Sequence, residues 1–188
     1  YIKEYPTKSA STTTIRNHIE RLQQRDVSVD MIIVDYGDLL FAKSKNNERR
    51  HQLESIYEEL RALAQIFRCP LWTASQTNRS GLNAEVITME SISEAYNKCF
   101  VSDFIFSLSR TIEDKNNNGG RVYIAKNRNG PDGIVYPIFM DTNNVTIKIL
   151  PSTHTVKEVQ DSAVKRQRER IKELYKSNRN EDKKNKNV

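Results

Sequence analysis

The order of amphipathic helices and short apolar runs is the feature that most constrains how this chain can fold. Apolar side chains at helical spacing predict helices over residues 12–25 and 48–68. Each helix is followed by a short apolar run. The run at 31–34 is typical of a strand buried on both faces, and the run at 71–75 predicts a second buried strand. Residues 1–6 are predicted to form a further strand. This alternation predicts an α/β fold with a parallel sheet.

The pattern changes in the carboxyl-terminal half. A short helix predicted near 90–100 leads to a third apolar run at 104–108. The polar stretch 113–120 is expected to be a mobile connection, and Gly-Pro-Asp-Gly at 130–133 is a strong turn signal. The strands predicted here are separated by short loops, which favours antiparallel pairing, and they cover residues 122–127, 134–140 and 145–150. We therefore expect a mostly parallel sheet flanked by helices, with an antiparallel extension.

Pattern and charge divide the chain into a core over 1–150 and a basic tail over 151–188. Residues 155–188 hold 11 Lys and Arg against 6 Asp and Glu, which accounts for most of the formal net charge of +6. A helix is predicted over 155–176, and the last dozen residues are expected to be disordered. The basic charge therefore indicates a tail that binds nonspecifically, and it gives little evidence of a nucleic-acid-binding face on the core.

Composition excludes several classes of protein. The 188 residues, 37% hydrophobic and 29% charged, suit one compact domain. No run approaches the roughly 18 apolar residues of a membrane span, and the opening YIKEYPTKSA does not resemble a signal peptide. The two cysteines, Cys69 and Cys99, lie far apart among apolar neighbours, which favours reduced, buried thiols in a cytosol-like compartment.

Two polar residues follow the first two apolar runs, where open α/β sheets bind ligands. Asp35 comes directly after MIIV, and a carboxylate there can hold Mg²⁺ through water and so position a nucleotide phosphate. Gln76 follows LWTAS and would lie beside Asp35 if the two strands are neighbours. An amide at that position can contact a terminal phosphate and sense its loss. For each residue the alternative is a polar side chain that merely ends a strand, and the residues alone leave both open.

Lys126 and Arg128 form the third candidate feature, in the sequence AKNRNGPDG. Alternate residues of a strand face the same way, so these two cations are expected to share one face. A pair of cations beside a rigid turn suits a phosphate that gains charge during transfer. The alternative is a solvated basic strand end.

Four segments in this order resemble a known family: MIIVDYGDLL, ESIYEELRALAQIFRCP, LWTASQTNRS and VYIAKNRNGPDGIV. They are similar to the ATPase domain of the DnaB-family replicative helicases, whose fold is RecA-like. The resemblance covers about residues 1–150, and AKNRNG-P-x-G is its most specific part. It implies an ATP-dependent helicase motor that moves on single-stranded DNA and unwinds duplex, with ATP and Mg²⁺ as ligands.

The resemblance also implies roles for individual residues. Asp35 matches the aspartate that organises Mg²⁺, and Gln76 matches the glutamine that links the γ-phosphate to a DNA-facing loop. Arg128 matches an arginine finger that reaches the nucleotide of the neighbouring subunit, with Lys126 as its companion. These four residues are therefore the expected catalytic and nucleotide-binding set.

Two loops match those that line the central channel of the helicase ring, namely 41–50 and 77–88. The candidate DNA-phosphate contacts in them are Lys43, Lys45, Arg49, Arg50 and Arg79. The expected partners are single-stranded DNA, further copies of the chain in a ring hexamer, and a primase or helicase loader, with no membrane. The family resemblance implies a cytoplasmic location in a bacterial cell or a phage-infected host.

The sequence also departs from the family pattern. It contains no G-x-x-x-x-G-K-[S/T], so the loop that cradles the phosphates is missing, and the first residue is Tyr1. We therefore expect a fragment that does not hydrolyse ATP by itself. Further departures are Gly37-Asp38 in place of a larger polar pair, the helix near 90–100 and the bulky Trp72. They indicate a divergent, phage-type member.

Three alternatives remain at this point. A RecA-like strand-exchange ATPase would keep the fold and form an open filament instead of a ring. A non-catalytic module that binds single strands or a replication partner would need no phosphate loop. A metal nuclease would use Asp35 and Asp38, but the sequence offers no third ligand placed to complete a two-metal site.

Overall fold

The structure is a computed structural model of the 188-residue chain. It describes the backbone of residues 1–42, 48–77, 84–91 and 98–185, and the side chains of the same ranges up to Lys172 except at positions 90 and 170. Within these ranges no helix is both long enough and apolar enough to cross a membrane.

The chain forms two compact units, each with its own apolar core. The first comprises Tyr1–Leu82 and Thr88–Ile105, and the second comprises Asn83–Ile87 and Phe106–Val188. The helices and strands up to Val101 are α1 (Thr12–Gln23), β1 (Ile32–Val34), α2 (Arg49–Phe67), β2 (Leu71–Thr73) and α3 (Lys98–Val101). Those that follow are β3 (Phe104–Ser109), α4 (Ile112–Asn116), β4 (Gly119–Asn127), β5 (Ile134–Asp141), β6 (Thr146–Ile149), β7 (His154–Thr155) and α5 (Val156–Asn185).

Helix α1 begins at a reciprocal cap. The Ser11 hydroxyl accepts a hydrogen bond from the Thr14 amide at 3.4 Å, and the Thr14 hydroxyl accepts one from the Ser11 amide at 3.1 Å. Such a capping box satisfies N–H groups that have no partner inside the helix. Ile19 then places its side chain in the core of the first unit. The helix predicted over 12–25 is confirmed, two residues shorter at its end.

Helix α2 contributes more buried side chains to that core than any other element. Its buried side chains recur at helical spacing and form one stripe, made of Leu53, Ile56, Tyr57, Leu60 and Leu63. Four of them, all except Leu53, belong to one core cluster with Ile32 and Val34 of β1. The helix predicted over 48–68 is confirmed, because an amphipathic stripe of this length is a strong local signal.

Strands β1 and β2 pair in parallel, with Ile32 opposite Leu71 and Val34 opposite Thr73. Only one face of this pair is buried, since Ile33 is 72% exposed and its neighbour Trp72 is 40% exposed. The prediction that the strand at 31–34 is buried on both faces is therefore wrong. The physical reason is that α2 covers one face in the described residues, whereas an apolar run does not tell how many faces are covered.

The second sheet has the strand order β3-β4-β5-β6, with β7 also paired to β5. The ladders β4–β5, β5–β6 and β5–β7 are antiparallel, as the short connections predict. Val86, Val135 and Val159 form the core of the second unit. An α/β fold with a parallel and an antiparallel sheet is confirmed, but the parallel part has only two strands among the described residues.

Several local predictions need correction. Residues 1–6 form no strand. The stretch 113–120 is not an open connection, since Thr111 and Asp114 cap a short helix, α4, and β4 already begins at Gly119. Helix α5 continues to Asn185 and so covers most of the segment expected to be disordered. Of the segment predicted as a helix near 90–100, the structure describes a 3-10 helix, Met89–Ser91, and α3, and the prediction for 92–97 lies outside the described residues.

Candidate functional site

The candidate site lies where β1 and β2 end. Because parallel strands end at the same edge of a sheet, the segments that follow Val34 and Thr73 leave the pair side by side. Asp35 and Gln76 are both exposed at this edge. The Gln76 side-chain amide donates a hydrogen bond to the hydroxyl of Tyr36 at 2.6 Å. The two strands are thus neighbours, and Gln76 is bound to the residue that follows Asp35.

Beneath this edge the first unit contains a polar cluster, which we call the Lys98 cluster and which consists of Asp38, Tyr57, Ser75 and Lys98. The Asp38 carboxylate accepts hydrogen bonds from Tyr57 and from Ser75, each at 3.0 Å. The Lys98 amino group lies 3.3 Å from one Asp38 oxygen and donates to the Ser75 hydroxyl at 2.6 Å. The cluster therefore joins the ends of β1 and β2 to α2 and α3.

Both charges of the cluster are removed from solvent. The Lys98 side chain is 2% exposed and that of Asp38 is 15% exposed. A buried charge costs several kcal/mol unless it is paired and hydrogen-bonded. Here the ammonium also lies 5.4 Å from the centre of the Tyr57 ring, within the range of a cation–π contact. Pairing with Asp38, Ser75 and the aromatic face together makes the burial of Lys98 tolerable.

Tyr57 is held in its neutral form. Burial, and then the nearby Asp38 carboxylate, raise the pKa of its hydroxyl well above the ordinary value. The neutral hydroxyl donates to Asp38 and also lies 3.1 Å from the Ala74 carbonyl oxygen. Tyr57 thus connects α2 to both strand ends and remains a hydrogen-bond donor at physiological pH.

Gly37 fits the turn after β1 because it has no side chain. A Cβ at this position would lie 3.2 Å from the Leu60 side chain and 3.2 Å from the Thr73 hydroxyl. Its amide donates to that hydroxyl at 2.8 Å, and the hydroxyl in turn donates to the Val34 carbonyl at 2.9 Å. The departure Gly37-Asp38 is thus explained, since Gly37 permits close packing and Asp38 is the counter-ion of Lys98.

The five predicted DNA contacts fall in different places. The Arg49 guanidinium donates to the backbone carbonyl of Asp38, so it stabilises the turn after β1. Arg50 is exposed in the first turn of α2. The other three lie outside the described residues, namely Lys43, Lys45 and Arg79.

The predicted cation pair belongs to the second unit. Lys126 is half-buried near the end of β4, and Arg128 is exposed in the turn that follows. The Asn127 side chain shapes that turn, because its oxygen accepts from the Asn129 amide at 3.2 Å and its nitrogen donates to the Pro131 carbonyl at 3.3 Å. The turn is thus internally braced and presents Arg128 to solvent.

The donor set at the sheet edge restricts the metal chemistry. Within the described ranges no three His, Cys, Asp or Glu side chains come together as a metal site. Asp35 therefore offers a single exposed carboxylate. That fits Mg²⁺, which keeps several waters and takes only one or two carboxylates, and it does not fit a two-metal nuclease.

Sequence reasoning missed three members of the Lys98 cluster. Tyr57 has the spacing of a core residue, Ser75 ends an apolar run, and Lys98 stands in a segment with weak periodicity. A usable signal was nevertheless present. Asp38 and the segment that holds Lys98 both depart from the family pattern, and Asp38 and Lys98 themselves carry opposite charges.

The fold matches solved ATPase domains. One solved ATPase domain has a TM-score of 0.66 and 21% identity, with 75% of this chain and 52% of that chain covered. A DnaB-like replicative helicase, solved with its interactions with primase, has a TM-score of 0.61 and 21% identity, covering 71% of this chain and 34% of that chain. The fold of this chain is therefore similar to the folds of these two solved proteins.

Sequence comparison identifies the family. The model of the DnaB-like helicase C-terminal domain matches residues 1–146. The DnaB-like replicative helicase of Enterobacteria phage T4 is 30% identical over 118 residues, which is 60% of this chain and 24% of that protein. The replicative DNA helicase DnaB of Geobacillus stearothermophilus is 30% identical over 156 residues, 79% of this chain and 34% of that protein. This chain belongs to the DnaB-like helicase C-terminal domain family, and it spans a quarter to a third of these two relatives.

Proposed function

We propose that this chain is part of the motor domain of an ATP-dependent replicative helicase, which translocates on single-stranded DNA and unwinds duplex. The observation that carries the proposal is the hydrogen bond from Gln76 to Tyr36, which joins the ends of two parallel strands beside Asp35. Family membership over residues 1–146 supports it. An acid and an amide coupled at one sheet edge suit the sensing of a nucleotide phosphate.

Asp35 is the residue we assign to Mg²⁺. Its carboxylate is exposed directly after β1, a strand held in register by β2. Mg²⁺ bound there through water would neutralise phosphate charge. The contribution of the chain is to hold one acidic group at the same sheet edge as the Gln76 amide.

Gln76 is assigned to the phosphate-sensing step. Its amide nitrogen is engaged by the Tyr36 hydroxyl, so a γ-phosphate oxygen competes for the same donor. A change of partner at Gln76 is transmitted to residue 77 and the loop beyond it, because they continue the same backbone. Nucleotide state and the pose of the DNA-facing loop are thereby linked.

Arg128 and Lys126 are assigned to the nucleotide of a neighbouring copy of the chain. Arg128 is exposed in a braced turn, the position from which a guanidinium can reach across an interface. An arginine supplied in this way accelerates phosphoryl transfer by about a thousandfold or more, because it offsets the charge of the transition state. The proposal therefore includes a homo-oligomer, and a ring hexamer is the form we expect.

DNA is assigned to the loops 41–50 and 77–88, whose basic residues contact phosphates. Binding through the backbone of the strand is insensitive to sequence and weakens with salt. Arg50 is the exposed basic side chain of this set that the structure describes, whereas Arg49 is engaged with the turn after β1. A primase or a helicase loader is the protein partner we propose.

A second candidate function is a non-catalytic module that binds single strands or a replication partner. One observation favours it, namely that the sequence contains no G-x-x-x-x-G-K-[S/T]. Without that loop the chain has no backbone cradle for phosphates.

The experiment that separates the two is ATP hydrolysis by the full-length protein that carries this chain, measured with and without single-stranded DNA. The helicase proposal predicts hydrolysis that depends on Mg²⁺, is stimulated by DNA and is abolished by Asp35→Asn. The matched control is Asp30→Asn, an exposed aspartate just before β1, which leaves the rate unchanged. Salt-sensitive DNA binding with no hydrolysis would support the non-catalytic module instead.

A further inference from the structure

Lys98 contacts the two segments that carry the proposed nucleotide-sensing residues. Its amino group lies within 3.4 Å of both carboxylate oxygens of Asp38, three residues after Asp35. It also donates to the hydroxyl of Ser75, the residue before Gln76, at 2.6 Å. One buried ammonium therefore fixes both strand ends from beneath the sheet edge.

The same contact joins the two ends of a long segment of the chain. The backbone leaves the site at Ser75 and returns at Lys98, and the side chains of these two residues are hydrogen-bonded to each other. Loop 77–88, assigned above to DNA, lies between them in sequence. Any displacement of the Ser75 end is thus resisted by α3, which packs on α2.

Stability alone is a poor reason for such a cluster. Replacing a buried ion pair by apolar side chains of similar size is often neutral or stabilising. Apolar side chains cannot fix the relative position of these groups in the same way, because hydrogen bonds are directional and apolar contacts are not. Tyr57 adds to this, since its hydroxyl contacts both Asp38 and the carbonyl of Ala74. The cluster is thus suited to holding one geometry.

We propose that Lys98 is a positioning residue of the motor. Through Asp38 and Ser75 it keeps Gln76 in register with Asp35, so that the nucleotide state is transmitted to the DNA-facing loop. Lys98 itself touches neither nucleotide nor DNA in this proposal, which rests on the helicase function proposed above.

The test uses the full-length protein with Lys98→Met, which keeps the length of the side chain and removes its charge. We expect the KM for ATP to change less than about threefold, while the stimulation of kcat by single-stranded DNA falls at least about tenfold. Ser75→Ala removes the two hydrogen bonds of the Ser75 hydroxyl, to Asp38 and from Lys98, but no charge. It leaves the ion pair in place, so it folds even if Lys98→Met does not, and it should lower the stimulation in the same direction. Lys148→Met, an exposed lysine on β6, is the matched control and should behave as the wild type.

Two further measurements distinguish the positioning role of Lys98 from a purely structural role. Hydrogen exchange should show a loss of protection at residues 35–39 and 74–77 that exceeds the loss elsewhere, whereas a general destabilisation lowers protection evenly. In a double-mutant cycle, adding Asp38→Asn to Lys98→Met should cost little more than either change alone, because each removes the same ion pair.

The outcomes distinguish this inference from the function on which it rests. Wild-type stimulation by DNA in both Lys98→Met and Ser75→Ala overturns the positioning role and leaves the helicase proposal intact. A wild-type protein that never hydrolyses ATP overturns the proposed function. In that case hydrogen exchange decides. A uniform loss of protection across the chain in Lys98→Met would overturn the positioning role as well, whereas a loss confined to residues 35–39 and 74–77 would support it.

Discussion

Gln76 donates its side-chain amide to the Tyr36 hydroxyl at 2.6 Å, and this bond crosses from the end of β2 to the end of β1. The bond couples the segment that carries the proposed Mg²⁺ ligand to the segment that leads into the proposed DNA loop. Removing one of its partners should therefore separate hydrolysis from its response to DNA.

Gln76→Ala in the full-length protein should leave residual ATP hydrolysis that DNA no longer accelerates. The physical reason is that the variant removes the amide that responds to the phosphate, while Asp35 and the metal position are untouched. Steady-state hydrolysis against DNA concentration measures this. Thr7→Ala, an exposed polar residue remote in sequence from the strand ends, is the control. Normal stimulation in Gln76→Ala would remove the coupling role.

Arg128→Ala should abolish DNA-stimulated hydrolysis while nucleotide affinity stays within about threefold of the wild type. The guanidinium is proposed to act on the transition state of a neighbouring copy, so the ground-state complex loses little. Nucleotide titration and turnover are measured on the same preparation. Asn129→Ala changes the adjacent exposed position of the same turn and should be silent. Equal losses of binding and turnover would contradict a role across the interface.

Tyr57→Phe should destabilise the chain by about 1 to 2 kcal/mol, because it removes the hydroxyl that donates to Asp38 and lies 3.1 Å from the Ala74 carbonyl oxygen. Chemical denaturation followed by circular dichroism measures the free energy of unfolding. Tyr1→Phe, at an exposed position, is the control and should change nothing.

The pH dependence of the same variant completes this prediction. Burial raises the native pKa of Tyr57 above that of the unfolded chain, so its contribution is fully present below the ordinary tyrosine pKa. That contribution is lost as the pH rises from there toward the raised native pKa. The stability of the wild type should therefore fall more steeply than that of Tyr57→Phe in this window, and parallel curves would contradict the assignment.

For Asp114, in the second unit, we expect stability to depend on pH in the opposite direction. Burial alone raises its pKa, but hydrogen bonds from the Thr111 amide and hydroxyl, and then Arg121 at 2.7 Å, leave that pKa below the ordinary value. Its stabilising contribution is present above the unfolded carboxylate pKa and is lost as the pH falls through the lowered native pKa. Melting temperatures of Asp114→Asn and wild type should converge at acid pH, whereas Asp132→Asn, in an exposed turn, should follow the wild type throughout.

The 188-residue chain by itself should show no ATP hydrolysis above background, because it lacks the phosphate-cradling loop. A coupled assay with and without single-stranded DNA measures this, with Asp35→Asn as the reference for background. Robust turnover by the isolated chain would show that its own residues suffice to hold the phosphates.

Much of the fold follows from local signals in the sequence. Helices α1 and α2 are predictable nearly to their ends because an amphipathic stripe and a capping hydroxyl such as that of Ser11 act within a few residues. The same kind of signal exists at Thr111 and Asp114, where a capping box starts α4, but the Asn and Gly content of that segment is typical of a loop and conceals it.

The parts that could not be predicted depend on partners distant in sequence. The exposure of Ile33 is set by what covers the sheet, and an apolar run carries no such information. The placement of Asp35 and Gln76 at one edge was predictable, since parallel pairing follows from the helix between the strands. The pairing of Lys98 with Asp38 was not, because two residues 60 positions apart in the sequence give no periodic signal.

The exposed face of the β1–β2 pair has a practical consequence. Trp72 is the sole tryptophan of the chain and meets Phe104 edge-on at a centroid distance of 6.0 Å on that face. Its emission thus arises from one known place, free of interference from other indoles. A blue shift on mixing with another polypeptide or with DNA would report directly that water has left this apolar surface, and no added fluorophore would be required.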